Sequence, residues 1–522
     1  MATLPTDRPG AFATFRVLLV ASLVSSLIML DSNIVAVSLP AIARSLAATF
    51  AEIEWVVSAY ILSFAALLMA AGSFADRHGR KRGMLIGLAL FGAASGACGL
   101  ANSSPMLNLA RAAQGVGAAL LLTASLAVIG HAFTGAARAR AYAFWGSCLG
   151  IAITAGPIVG GVITDVVGWR WVFLVNVPLC AALFAATVRD VPESSDPEAK
   201  RLDVAGIVTF SLALFLLIWA LIDGNATGWS SSAILLRLAG AAALFACFAV
   251  AELSQPRPMV DLGLFRRPAV VGAAAAMIGY AAAAQVMIFY LPLFLQNAYG
   301  FAPMAAGLAM LPFALPMFLA PRAGAALANR HSGRALLTAG LAVTLVGNVL
   351  FWALARAGAP YPALAAAMLV AGSGAGLLNS ETTKAMMSAV PSQRAGMASG
   401  LGATLRFGGL LIGVAGFGAV LSHVAVGHFA DAASRAGLSP TLASLAARRI
   451  TSGDTVGVLA QMPEALREGI RTAGQAAFSD GFAAASLLAA LVAAAAGLAT
   501  FLLVDHGEAA STTAGEPAAA ID

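Results

Sequence analysis

Charge is scarce in this chain. Asp, Glu, Lys and Arg make up 10% of the 522 residues, hydrophobic residues make up 60%, and the mean hydropathy is +0.87. An ordinary soluble domain carries about 25% charged residues. A water-soluble globular class is excluded, and a membrane protein remains. Cysteine is nearly absent as well. Cys98, Cys148, Cys180 and Cys247 all fall inside apolar runs. They show no CxxC spacing and no loop pair that would close a disulfide or hold a metal, so they read as packing residues. The six histidines are His78, His131, His331, His423, His428 and His506. None sits mid-membrane beside a nucleophile or at metal-ligand spacing, and there is no phosphate-binding loop to couple nucleotide hydrolysis. A membrane enzyme is therefore disfavoured, and no cofactor or metal is called for. The net charge of +6 would suggest nucleic acid in a soluble protein. Here the cations lie in loops between apolar runs, where they set topology, so no nucleic-acid partner is expected.

What the chain has in abundance is apolar length. One crossing takes about 20 residues. Breaking the chain at charges, Pro and Gly clusters predicts fourteen spanning helices, over 15–39, 53–75, 83–102, 106–132, 140–164, 169–188, 203–222, 233–252, 269–296, 303–327, 335–355, 362–387, 396–422 and 482–504. The expected class is an all-α polytopic membrane protein. The first run is long enough to span and is not followed by a small-residue cleavage site, so it is expected to stay as a helix. With the N-terminus inside, the inner loops collect Arg77, Arg80, Lys81, Arg82, Lys200, Arg201, Arg257, Arg394 and others, while the short outer loops keep only Arg44, Arg170, Arg237 and Arg356. Both termini are therefore expected in the cytoplasm. The long outer segment contains Ser439-Pro440 and Pro463-Glu464, each ahead of a helix-like run. It reads as an extracytoplasmic hairpin of two amphipathic helices at about 423–481, and the polar tail 505–522 reads as disordered.

The chain repeats itself. AALANRHSGR at 325–334 echoes GSFADRHGR at 72–80, with Asn329 where Asp76 stands. The first copy joins helices two and three and the second joins helices ten and eleven. A six-helix unit therefore recurs with two helices inserted between the copies, the arrangement in which a midplane site is exposed alternately to each side. The expected division is a six-helix bundle over 1–190, a linker with the two inserted helices over 191–257, and a second bundle over 258–504.

Particular residues stand out against so apolar a background. Asp31 lies inside the first helix, where a carboxylate is functional by default unless permanently paired. The alternatives are a proton-coupling acid and a static partner of Arg111. Gln114 stands one turn from Arg111. Glu381 lies deep in helix twelve, with Lys384 one turn on, and either Lys384 or Arg406 of helix thirteen would serve as its partner. Gly72, Asp76, Arg77, Gly79 and Arg80 make a tight turn between two helices. Gly156, Pro157, Gly160 and Gly161 would bend helix five and let a neighbour approach closely. Trp55, Tyr60, Tyr280, Gln285 and Phe289 are further candidates for a cavity, with packing or the interfacial belt as the competing role.

Taken in order, these segments resemble those of the major facilitator superfamily, and within it the fourteen-helix drug:proton antiporters. LDSNIVAVSLPAI at 30–42 is similar to the family's first-helix signature, GSFADRHGRKR at 72–82 to its inner-loop motif, RAAQGVGAA at 111–119 to its fourth-helix motif, and AGPIVGGVI at 155–163 to its antiporter motif. GWRWVFLVNVP at 168–178 and LPLFLQNAYGFAPMAAGLAMLP at 291–312 continue the match. The resemblance implies a major facilitator fold of two six-helix repeats with two inserted helices, working as a monomer in the inner membrane. It implies a proton-coupled antiporter that exports lipophilic cations by alternating access. Asp31, Arg111 and Glu381 would serve proton coupling, Asp76 and Arg77 with Gly72, Gly79 and Arg80 a cytoplasmic latch, and Gly156, Pro157, Gly160 and Gly161 the hinge and seal. Asn33, Tyr60, Gln114, Gln285, Phe289, Asn379 and Arg406 would line the substrate cavity. The partners are then a small lipophilic substrate, protons and the lipid bilayer, and any periplasmic adaptor or outer-membrane channel would be a separate chain. An exporter of one physiological metabolite or peptide is the alternative, which saturable specificity for a single compound would reveal.

Overall fold

Long apolar runs fold as helices, because a bilayer leaves the backbone no partner but itself. Caps and prolines set where the helices begin. The computed structural model describes residues 11–195, 203–255, 260–328, 330–390, 395–436, 438–451 and 455–504. Among them, fourteen helices are long and apolar enough to cross a membrane, the number the sequence predicts, and no strand is present. They are α1 (Ala11–Leu46), α2 (Phe50–His78), α3 (Arg80–Gly99), α4 (Ser104–Ala132), α5 (Gly135–Val166), α6 (Arg170–Asp190), α7 (Val204–Thr227), α8 (Ser232–Ser254), α9 (Pro268–Asn297), α10 (Pro303–Leu327), α11 (Gly333–Arg356), α12 (Tyr361–Ala389), α13 (Ala395–Arg435) and α14 (Glu464–Leu503). Thr49 and Glu52 form a reciprocal capping box at the start of α2, satisfying donors the helix leaves open. Asp203, Ser231 and Ser332 cap α7, α8 and α11, and prolines open α4, α9, α10 and α12.

Backbone contacts group the chain into two units. The first holds Met1–Met259, Ile288–Leu311 and Val414–Phe482, and the second holds Val260–Met287, Pro312–Gly413 and Ala483–Asp522. In the first, α1 packs on α5, α2 and α3 pack on α4, and the inserted α7 packs on α8 and α2. Trp55 of α2 faces Phe215 of α7, ring centroids 5.9 Å apart, and Asn225 of α7 donates to the Ala419 carbonyl of α13 at 2.5 Å. Trp55 thus packs against an inserted helix. In the second unit, α11 packs on α12, as does the first part of α9.

The long segment after α13 differs from the expected hairpin. Pro440–Thr451 is a separate helix, as read from its proline, and a short helix, Thr455–Ala460, follows it. The run after Pro463 is not separate, because it continues without a break into α14. Phe429, Ile450, Val458 and Ile470 pack into one apolar cluster there. A helix that has a core to bury against need not end where its sequence turns polar. Asn329, Lys200, Arg201, Arg257, Arg394 and the tail 505–522 lie outside the described residues.

Candidate functional site

In the first unit, five helices deliver polar groups to one buried point. Asp31 of α1 is 0% exposed and Arg111 of α4 is 1% exposed, so each charge offsets part of the cost of burying the other. Arg111 Nη1 donates to Asp31 Oδ2 at 2.7 Å. The other carboxylate oxygen accepts from Gln114 Nε2 at 3.0 Å and from Asn176 Nδ2 of α6 at 2.6 Å. Ser95 of α3 accepts from both amides, at 3.2 and 3.0 Å, and donates to the Phe173 carbonyl. Arg111 Nε donates to the Val56 carbonyl of α2 at 3.0 Å, and its guanidinium lies 4.2 Å from the Tyr60 ring centroid. The carboxylate is thus held by three charge-assisted or polar donors and the guanidinium by a stack, which offsets the cost of taking both charges out of water. Asn33, two residues from Asp31, does not join them. Its amide donates to the Met29 carbonyl of its own helix at 2.6 Å.

The turn between α2 and α3 is built from its expected residues and one more. Gly79 has φ +113°, a conformation that glycine adopts at little cost. Asp76 accepts from Arg80 Nε at 2.9 Å, while Arg77 is exposed on α2. Beyond these, the Glu193 carboxylate accepts from the backbone amides of Lys81 and Arg82 at 3.0 and 3.3 Å. It fills the open amides of the α3 N-terminus from the segment after α6, and the helix dipole favours its charge there. A Cβ on Gly79 would meet that carboxylate at 2.7 Å.

The glycines of the α5 motif are contact points. A Cβ on Gly156 would lie 2.5 Å from the Asn33 Cβ, and one on Gly160 would lie 2.6 Å from the Ile34 carbonyl oxygen. On another side, Gly161 abuts Pro303 and Gly307 abuts Pro157. α5 is thereby in backbone contact with α1 and with the start of α10, an approach that only small residues permit.

The second unit gathers another polar group. α9 carries a π-helical turn at Tyr280–Gln285, an irregularity found often at functional sites. Arg406 Nε of α13 donates to Gln285 Oε1 at 3.1 Å, Arg406 Nη2 donates to Tyr280 Oη at 3.3 Å, and Tyr280 Oη donates to Asn379 Oδ1 of α12 at 3.1 Å. Gln285, Asn379, Arg406 and Tyr280 are therefore one cluster. Glu381 is outside it, paired with Lys384 at 2.6 Å. Of the two partners left open by the sequence, the fold takes the one on the same helix. Phe289 lies in the first unit, beside Tyr290.

Sequence reading missed four groups: Ser95, Asn176, Glu193 and a second buried acid, Glu54 of α2, which is 6% exposed. Asn176 lies within the GWRWVFLVNVP segment, so its place was marked though its role was not.

Fourteen helices long and apolar enough to span, with an acid and its guanidinium buried together in the first unit, are the marks of a polytopic membrane protein. The chain belongs to the Major Facilitator Superfamily, whose family model matches residues 21–414. It is 38% identical over 398 residues to the multidrug resistance protein Stp of Mycobacterium tuberculosis (strain CDC 1551 / Oshkosh), covering 76% of this chain and 74% of that one. It is 32% identical over 475 residues to the multidrug efflux pump LfrA of Mycolicibacterium smegmatis, covering 90% and 92%. A probable actinorhodin transporter of Streptomyces coelicolor is 32% identical over 492 residues, covering 90% and 84%. Among solved structures, a bacterial homolog to the human lysosomal transporter Spinster, in an inward-facing and occupied conformation, aligns with TM-score 0.64 at 16% identity, covering 93% of this chain and 96% of that one. That likeness concerns the fold alone.

Proposed function

We propose that this protein is a proton-coupled antiporter that exports lipophilic, cationic compounds across the bacterial inner membrane by alternating access. The observation that carries this reading is the buried Asp31–Arg111 pair, in a chain whose relatives include proteins named for multidrug resistance and efflux. Protonating Asp31 removes the charge that Arg111 answers and leaves the guanidinium with neutral partners, the Val56 carbonyl and Gln114. Releasing the proton restores the pair. A proton bound on one side thus biases an equilibrium between two arrangements of α1, α3, α4 and α6, which is what coupling requires.

The other motifs take supporting roles. The Asp76–Arg80 pair and the Glu193 cap latch the cytoplasmic end of α2 and α3, and the α5 glycines seal α1 and α10 against it. The cluster of Tyr280, Gln285, Asn379 and Arg406 takes part in substrate choice, and Glu381 with Lys384 makes a second titratable pair. The N-terminal and C-terminal six-helix bundles rock about the site, with both termini in the cytoplasm, as the concentration of Lys and Arg in the inner loops favours. The protein works as a monomer, and any envelope partner is a separate chain. A second reading, an exporter of one specific metabolite, is favoured by the relative named as a probable actinorhodin transporter.

Preloaded, energised cells decide between them. Expression of this protein is expected to clear a fluorescent lipophilic cation, and a protonophore is expected to stop it. Clearance that persists with the protonophore contradicts proton coupling, and no clearance of any dye favours the metabolite exporter.

A further inference from the structure

Glu54 is a buried acid inside the span of α2, and the reading above does not use it. Among the described residues no Lys, Arg or His pairs with it, and Glu52, two positions earlier, is turned to Thr49. Its polar partner is Tyr290 of α9, whose Oη lies 3.0 Å from Glu54 Oε1. The same Oη lies 2.8 Å from the Val414 carbonyl of α13. Gly418, one turn further along α13, leaves room for the carboxyl, since a Cβ there would strike Glu54 Oε1. The remaining surroundings are apolar: Leu39 of α1, Ile53 and Val57 of α2, and Phe289 and Leu293 of α9. Tyr290 of α9 is the titratable group in contact with Glu54, and Leu39 of α1 and Val414 and Gly418 of α13 present no charge to it. Of the other elements packed on α2, α4 carries Arg111, paired with Asp31, α7 carries Asp223, paired with Arg237, and the Pro440–Thr451 helix carries Arg448 and Arg449.

The hydrogens decide the state of this site. A tyrosine hydroxyl has one hydrogen, and two acceptors lie within its reach. With Glu54 ionised, Tyr290 can serve the carboxylate only by turning from the Val414 carbonyl, and a charge without a cation sits among apolar side chains, the costliest place for it. With Glu54 protonated, every group is matched. Tyr290 gives its hydrogen to Val414, and the carboxylic acid gives its own to Tyr290 Oη. We propose that Glu54 is a proton-binding site that holds α2 against α9 and α13 only while protonated, and so forms an outer gate that closes on proton uptake. The proton comes from water at the open mouth and adds to the carboxylate; its loss leaves a carboxylate that recovers hydration only if the three helices part. The inference rests on the transporter reading, in which the start of α2 faces outward. It adds to that reading where an entering proton first binds and what it closes.

The test reads the gate without any substrate. Spin labels at Ser45→Cys on α1 and His423→Cys on α13, both exposed, are placed in the full chain with its four native cysteines replaced by serine. Their separation is measured in purified protein in acidic and alkaline buffer. The wild-type background is expected to lengthen on going alkaline. Glu54→Gln, which keeps an N–H for Tyr290 at every pH, is expected to stay short and lose the response. Glu54→Asp, still ionisable, is expected to regain it. A Glu54→Gln protein that lengthens as the wild type does, or a wild type with no pH response, overturns the proposal. Failure of dye export in cells leaves this readout untouched, and a pH-insensitive gate leaves the export reading standing.

Discussion

Asp31 and Arg111 are 80 positions apart in the chain and 2.7 Å apart in the fold, each almost wholly withdrawn from solvent. Each makes the burial of the other less costly. Arg111→Gln leaves the carboxylate buried and unanswered, with an expected loss of about 3–5 kcal/mol. The double variant Asp31→Asn with Arg111→Gln removes both charges and is expected to recover most of that loss. Denaturation of the purified proteins in one detergent gives the comparison, and simple additivity of the two single effects would mean the pair is not coupled.

Gly160 faces the Ile34 backbone with no room for a side chain. Gly160→Val forces α1 and α5 apart at an expected cost of about 1–3 kcal/mol. Transport is expected to fall to a small fraction of wild type while the protein still reaches the membrane. Wild-type rates in that variant, measured at equal expression, would remove the seal from the account.

The turn at Gly79 makes a different kind of prediction. The Asp76–Arg80 pair is partly exposed, and pairs of that kind contribute only about 0.2–1 kcal/mol. Asp76→Asn and Glu193→Gln are therefore expected to change thermal stability little and to lower transport clearly, because they shift the balance of states and not the integrity of the fold. Dye efflux and a melting curve on the same preparations check both halves. A parallel loss of stability and transport would reduce the turn to a structural anchor.

Much of this architecture was legible in the residues because charge is so rare. An acid in α1 and an arginine in α4 stand out from an apolar background, and so does a Gly-Asp-Arg turn between two long hydrophobic runs. Asn176 and Ser95 did not stand out, since neutral polar side chains are common in spanning helices, and only the fold brings them to Asp31. Glu54 sits two residues past Glu52 of the capping box, where an acid looks like ordinary helix-start chemistry. The start of α14 was misplaced because residues 464–471 carry four charges, Glu464, Arg467, Glu468 and Arg471, too many to read as part of a span. The π-helical turn at Tyr280–Gln285 has no composition that announces it.

Arg406 uses two different nitrogens, one for Gln285 and one for Tyr280. Lysine carries the charge without that planar fork. Arg406→Lys is expected to keep the protein folded and to change the order in which a panel of cationic and neutral dyes is exported. An unchanged order would place substrate choice elsewhere.

The central claim is that proton entry through Asp31 drives export. The most direct measurement uses purified wild type and Asp31→Asn in liposomes under an imposed proton gradient, following accumulation of a lipophilic cation against its own gradient. The wild type is expected to accumulate it only while the proton gradient lasts, and Asp31→Asn is expected to let it do no more than equilibrate. Gradient-driven accumulation by Asp31→Asn at the wild-type rate would contradict the account.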